Sequence, residues 1–207
     1  MDWIRAKSKH QIFLLDAEQT VRPADLPLAT LRSILEQAKA ENRAFHLMTQ
    51  MRVAAGSDYV AGIRGLLRGE PSPGALRGLG DYDLRFFDDL GEMRRQILER
   101  EREHGLARLL AGYAWKWRSR KDPSAFDIEI GDVQLRWNST DKDWINQANS
   151  VNEVGSIHTV QGYDLNYAGV IVGPDLRFDE ASGRLFVDRA AYHDAKGKEN
   201  NWADPVS

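Results

Sequence analysis

The chain has 207 residues, 42% hydrophobic and 29% charged, a composition for one globular domain or one domain with part of another, and too apolar for a disordered tract. It has no cysteine, which excludes disulfides, thiolate zinc sites and a cysteine nucleophile. Its net charge of −3 excludes nucleic-acid binding through overall basicity, and no apolar run is long enough to read as a membrane span. The missing cysteines and the lack of an apolar leader at Met1–Arg5 fit a reducing cytoplasm, the expected location.

In chain order, Gln11–Leu15 is a short apolar run ending at Asp16, which predicts a buried parallel strand. Asp25 is the expected N-cap of a helix in which Leu28, Leu31, Ile34, Leu35 and Ala38 recur at helical spacing, ending near Asn42. Ala44–Met48 predicts a second buried strand. Ser57 can cap a helix with Val60, Ile63 and Leu67 on its apolar face, and Gly69–Gly74 is a loop. Tyr82–Phe87 is a short strand candidate. A helix is predicted from about Asp89 to His104, with Glu92 in its first turn and Gly105 as its stop. Leu106–Ala111 predicts a further strand, and the alternation of Phe126–Arg136 around Gly131-Asp132 a hairpin or bent strand pair. Val154–His158 and Ala168–Val172 are short apolar runs, and Arg184–Val187 a strand after the turn at Glu180–Gly183. Short strands alternating with amphipathic helices predict an α/β domain with a mostly parallel sheet.

The segment Gly155–Asp164 (Gly-Ser-Ile-His-Thr-Val-Gln-Gly-Tyr-Asp) is a polar loop between two apolar runs. His158 and Thr159 can donate to phosphate oxygens, Gly162 lets backbone approach a ligand, and Asp164 can accept from a sugar hydroxyl or a protein donor. The same residues also suit a strand–turn–strand with a satisfied histidine. Asp16, at the end of Ile12–Asp16, stands where a P-loop NTPase presents a magnesium-binding acid, or simply caps a strand. Arg52 follows Leu47-Met-Thr-Gln-Met and can reach a terminal phosphate, or lie on the surface.

From Arg94 to Lys121 nine basic residues face three acidic ones, a local charge of +6, which suits a solvated helix face laced with ion pairs. Trp115 and Trp117 flank Lys116, with Arg118 and Arg120 beyond; such a pattern can stack on bases, or alternate into a core. None of the five histidines has a partner at metal spacing, so no metal site is expected within the chain. There is no Gly-x-Ser-x-Gly elbow and no Gly-x-x-x-x-Gly-Lys-Ser/Thr phosphate cradle.

Four pieces in this order, Phe13–Arg22, Gln50–Arg52, Leu106–Trp117 and Val154–Asp164, with Val170–Asp175 after them, resemble superfamily 1 helicases. More closely, the chain resembles the Schlafen-group-3-type DNA/RNA helicase domain of bacteria, a P-loop NTPase family. The resemblance implies a RecA-like fold, with residues 1–42 the end strand and helix of a first RecA-like domain and 43–207 a second. It implies that Asp16 and Gln19 belong to a motif that senses the γ-phosphate; a Walker B role for Asp16 stays open, though Gln19 and Arg22 fit the later motif better. It implies that Arg52 reaches the γ-phosphate across the cleft, that His158 and Thr159 face nucleic acid, and that Gln161, Gly162 and Asp164 lie nearer the ATP cleft.

The family's Walker A loop is expected before Met1 and its final Arg-bearing motif after Ser207. The expected activity is therefore that of a helicase or translocase fragment. It would use ATP and Mg²⁺ in the intact enzyme, act on single-stranded DNA or RNA, and need the missing Walker A-bearing portion as partner. The chain alone is expected to lack ATPase activity. The competing reading is a non-catalytic module that binds single-stranded nucleic acid or a protein, motivated by the basic stretch and the Trp115/Trp117 pair.

Overall fold

The computed structural model describes residues 2–15, 27–46, 58–70, 74, 79 and 82–194. The chain divides into two compact units, Met1–Thr49 with Asp194–Ser207, and Gln50–His193.

In the first unit, α1 spans Asp2–Lys7 and α2 spans Leu28–Ala40. The fixed φ of Pro27 suits the residue before a first helical turn, and Leu31 of α2 is buried. The expected cap Asp25 lies outside the described residues. Gln11–Leu15 is not the predicted strand: it is irregular chain with Ile12 92% and Leu14 87% exposed. Ala44–His46 is likewise irregular and Phe45 exposed, while Leu47 and Met48 lie outside the described residues. The physical reason is the same for both. An apolar run becomes a strand only where neighbours take its backbone hydrogen bonds, and among the described residues neither run has a ladder partner.

In the second unit, α3 spans Asp58–Leu67, as its apolar spacing predicts, although Leu67 itself is exposed. Tyr82–Phe87 is irregular rather than a strand, again without a ladder partner among the described residues; Arg85 fastens it by donating to Asp83 and Gln96. α4 spans Leu90–His104. The Asp89 carboxylate accepts from the Glu92 backbone N–H at 2.6 Å, Glu92 sits in the first turn, and Gly105 closes the helix. Leu90 and Ile97 are its buried side chains.

Three strands form the central sheet: β1 (Ala107–Ala111), then, beyond an antiparallel hairpin of β2 (Ile128–Ile130) and β3 (Val133–Leu135), β4 (Val154–Ser156) and β5 (Tyr167–Ile171). The order is β4-β1-β5, all parallel, with Leu109 opposite both Val154 and Gly169. A second antiparallel hairpin, β6 (Leu176–Asp179) with β7 (Arg184–Val187), follows; β6 was not anticipated from the sequence. The molecule is α/β with a parallel sheet flanked by helix, but the parallel part is three strands and the other four described strands are hairpins.

Period-two alternation along β1 divides its two faces. Ala107, Leu109 and Ala111 join Leu90 and Ile97 of α4, Ile128, Leu135 and Trp137 in one core. Arg108 turns the other way and is only 5% exposed. Its guanidinium pairs with Glu101 at 2.7 Å and donates to Ser150 Oγ and the Ile145 carbonyl, both at 2.9 Å. These bonds tie β1 to the segment preceding β4 and compensate a charge that would otherwise be costly to bury.

Candidate functional site

In an open parallel sheet, functional loops leave the carboxyl ends of the strands, because the strands fix where each loop begins. Here Gly112–Trp117 leaves β1, Ile157–Asp164 leaves β4 and Val172–Asp175 leaves β5. The structure brings the first two together. The His158 ring lies 5.8 Å from that of Tyr113, which lies 5.8 Å from Trp137, which lies 6.1 Å from Trp117. An aromatic series thus runs from the core to His158.

Within the second loop a single helical turn, α5 (Ile157–Val160), follows Ser156. Thr159 points inward: it is 5% exposed, and its hydroxyl donates to the Ser156 carbonyl at 2.9 Å and lies 3.3 Å from Ser156 Oγ. Thr159 therefore anchors the turn, while its neighbour His158 is half-buried against Tyr113. Gln161, Gly162 and Asp164 are exposed. Gly162 adopts φ 95°, which disfavours any side chain, and a Cβ there would meet nothing within 4 Å; backbone faces open space at this point. Tyr163 donates to Asp143 at 3.0 Å, and this bond pushes its phenol pKa up by stabilising the protonated form.

The loop stands on a buried polar network that sequence reasoning missed. Asn138, 1% exposed, accepts from the Ser156 backbone N–H at 3.3 Å and donates to the Thr140 carbonyl and Asp141. Glu153 is also buried; its carboxylate accepts from the Ser139 N–H at 2.9 Å, from Trp144 Nε1 at 2.8 Å and from Asn149 at 3.1 Å. The Trp144 ring packs against Gly155, where a Cβ would stand 2.5 Å from the ring. The only sequence signals were Trp137-Asn138, Trp144 and the glycine between Val154 and Ser156, residues that read as loop when taken singly.

Trp115 and Trp117 are half-buried against the core, with Lys116 and Arg118 exposed between and beyond them. The alternation is that of a segment packed on one side. Arg120 lies 5.5 Å over Trp117, and Arg118 pairs with Glu129. On α4, Arg95 pairs with Glu92 and Glu99, and Arg100 with Glu103. Much of the basic stretch is thus neutralised by ion pairs, and Arg108 is buried. Asp16, Gln19 and Arg52 lie outside the described residues. Among the described residues no group of three or more His, Asp or Glu is placed to hold a metal ion, and none of the described helices is long and apolar enough to cross a membrane.

Residues 1–206 match the family described as Schlafen group 3, DNA/RNA helicase domain. The uncharacterized protein YPL245W of Saccharomyces cerevisiae is 31% identical over 196 residues, covering 83% of this chain and 43% of that protein. The chain therefore spans less than half the length of that relative. No solved structure matches.

Proposed function

The chain belongs to the Schlafen group 3 DNA/RNA helicase domain family, and from that membership we propose that it is the part of an ATP-dependent helicase or translocase that grips single-stranded nucleic acid. The observation that carries the reading is the His158–Asp164 loop, which leaves the carboxyl end of a parallel strand and is held there by buried hydrogen bonds. In this reading the fold is RecA-like. His158 and the surface around Tyr113 contact the strand. Thr159 acts from beneath as a positioning residue rather than as the direct contact the resemblance implies, because its hydroxyl is buried and engaged.

Gln161, Gly162 and Asp164 fit one wall of a nucleotide site: they are exposed, carry donors and acceptors, and surround backbone that a ligand can approach. They do not make a phosphate cradle, and the sequence contains no Gly-x-x-x-x-Gly-Lys-Ser/Thr. ATP and Mg²⁺ are accordingly assigned to the longer protein. The γ-phosphate roles of Asp16, Gln19 and Arg52 rest on the resemblance alone, and no hydrolytic step is assigned to this chain alone.

The test is fluorescence anisotropy of a labelled single-stranded oligonucleotide, with wild type beside His158→Ala across a salt series. The reading expects affinity that falls with salt and drops about 5-fold or more in the variant, the loss expected when a base-stacking contact is removed. Binding that is absent at low salt, or unchanged by the substitution, overturns it. The non-catalytic module draws less support, because Trp115 and Trp117 pack on the core and several of the basic residues are ion-paired.

A further inference from the structure

A polar cleft of about 290 Å³ opens beside the residues that precede β4. Its walls come from three elements: α4 contributes Arg94, the β2–β3 hairpin and its flanks contribute Phe126 and Arg136, and the turn before β4 contributes Asn149, Asn152 and Glu153.

Arg94 is the anomaly. Its neighbours on α4, Arg95 and Arg100, are ion-paired, yet Arg94 has no hydrogen bond or ion pair among the described residues, and its Nε is shut off from solvent without an acceptor there. That nitrogen is out of reach of a ligand, so what Arg94 offers the cleft it lines is its terminal guanidinium nitrogens, which have no acceptor among the described residues. Arg136 is held differently. Its Nε and one terminal nitrogen donate to the Ala125 and Ser124 carbonyls at 3.0 Å, and its plane lies 4.1 Å over the Phe126 ring. That leaves the remaining guanidinium nitrogen oriented but unengaged.

Asn149 donates one bond to Glu153 and Asn152 one to Asn149, so each side-chain amide keeps a second hydrogen. Glu153 contributes the cleft's only carboxylate, and that carboxylate already accepts from Ser139, Trp144 and Asn149. Asp122 lies near enough to Arg136 to share its field, but among the residues lining the cleft two guanidiniums stand against one occupied carboxylate, which leaves the cleft positive and rich in donors. Donors carried by three elements around a positive cleft suit an oxyanion, and guanidiniums in particular suit phosphate.

We propose that this cleft binds a phosphate group, with Arg94 as its principal ligand, Arg136 as a pre-oriented second cation and the amides of Asn149 and Asn152 closing the remaining side. The inference stands apart from the strand-binding reading, since a free phosphate or the phosphate of a small molecule fits as well as a nucleic-acid backbone.

The experiment uses the full chain, as wild type, Arg94→Met and Arg94→Lys. In one arm, thermal unfolding is followed against inorganic phosphate, with sodium chloride at matched ionic strength as the reference. In the other, the affinity of a single-stranded oligonucleotide is measured across salt. Arg94→Met keeps the aliphatic packing and removes the orphaned donor, so its melting temperature without phosphate is expected to equal or exceed that of wild type.

Phosphate is expected to raise the melting temperature of wild type by about 3 °C at several times its dissociation constant, to raise that of Arg94→Lys less, and to leave Arg94→Met unmoved. A difference confined to the phosphate arm assigns the site to a free or small-molecule phosphate. A loss of about 5-fold in oligonucleotide affinity, with the salt slope reduced by about one, assigns it to the nucleic-acid backbone. Wild type and Arg94→Met responding alike in both arms overturns the proposal.

Discussion

The two flanks of β4 are built on opposite principles. On the amino side, residues 138–153 fold into turns whose polar groups are buried and bonded: Asn138, Ser150 and Glu153 are all below 10% exposure, and Trp144 is fully covered. On the carboxyl side, one turn of helix hands over to Gln161–Asp164, which is exposed throughout. Thr159 below, the His158–Tyr113 ring contact and the Tyr163–Asp143 bond at the tip tie the loop back. A strand of three residues cannot by itself hold a loop to a fixed geometry. The lesson is that the amino flank supplies the rigidity and the carboxyl flank the accessible chemistry, and substitutions on the two sides should separate stability from binding.

The sharpest break is expected from Trp144→Ala, which empties a fully buried site and strips a partner from Glu153. It should cost about 3–5 kcal/mol, read by chemical denaturation with an unchanged m-value. Gly155→Ala comes next, since its Cβ falls 2.5 Å from the Trp144 ring; we expect about 1–3 kcal/mol, with the double substitution Gly155→Ala plus Trp144→Ala costing less than the sum. Asn138→Ala leaves the buried Ser156 N–H without an acceptor and should cost about 1–3 kcal/mol, with faster amide exchange in the turn at Ile157–Val160.

On the carboxyl flank the pattern reverses. Tyr163→Phe removes one exposed hydrogen bond and should stay within about 0.5 kcal/mol of wild type in the same denaturation assay. A loss comparable to that of Asn138→Ala would erase the distinction between the flanks.

The smallest effect serves as a control away from both flanks. Asp179, in the turn of the β6–β7 hairpin, accepts from the Ser182 hydroxyl and from the N–H groups of Ala181 and Ser182, which hold its carboxyl below the ordinary value of 3.8. A depressed carboxylate contributes stability above the ordinary value and loses it as pH falls through the depressed one. The turn at Glu180–Gly183 should therefore become more open to proteolysis only in strong acid, and Asp179→Asn should remove that pH dependence.

The parts of the fold legible in the sequence were those whose signal is local. α4 announced itself through Asp89, Glu92 and Gly105, and the β2–β3 hairpin through alternation about Gly131-Asp132. Gln11–Leu15 and Ala107–Ala111 read alike, and only the second is a strand. The difference is not in the runs themselves, since β1 lies between two parallel partners and under α4, and pairing of that kind has no local signature. The Gly155–Asp164 segment was recognisable as a site candidate from its polarity between apolar runs. Its support was not, because Asn138 and Glu153 are distant in sequence from the residues they hold and look like ordinary loop residues. Trp115 and Trp117 carried two readings, and packing against Trp137 is decided by tertiary contact rather than by spacing.

The most direct measurement is ultraviolet crosslinking of a single-stranded oligonucleotide to the full chain, with the attached peptides identified by mass spectrometry. The account predicts that crosslinks concentrate on residues 157–164 and on Tyr113, and that they diminish with His158→Ala. Crosslinks that fall elsewhere in the chain and are indifferent to His158 would contradict it.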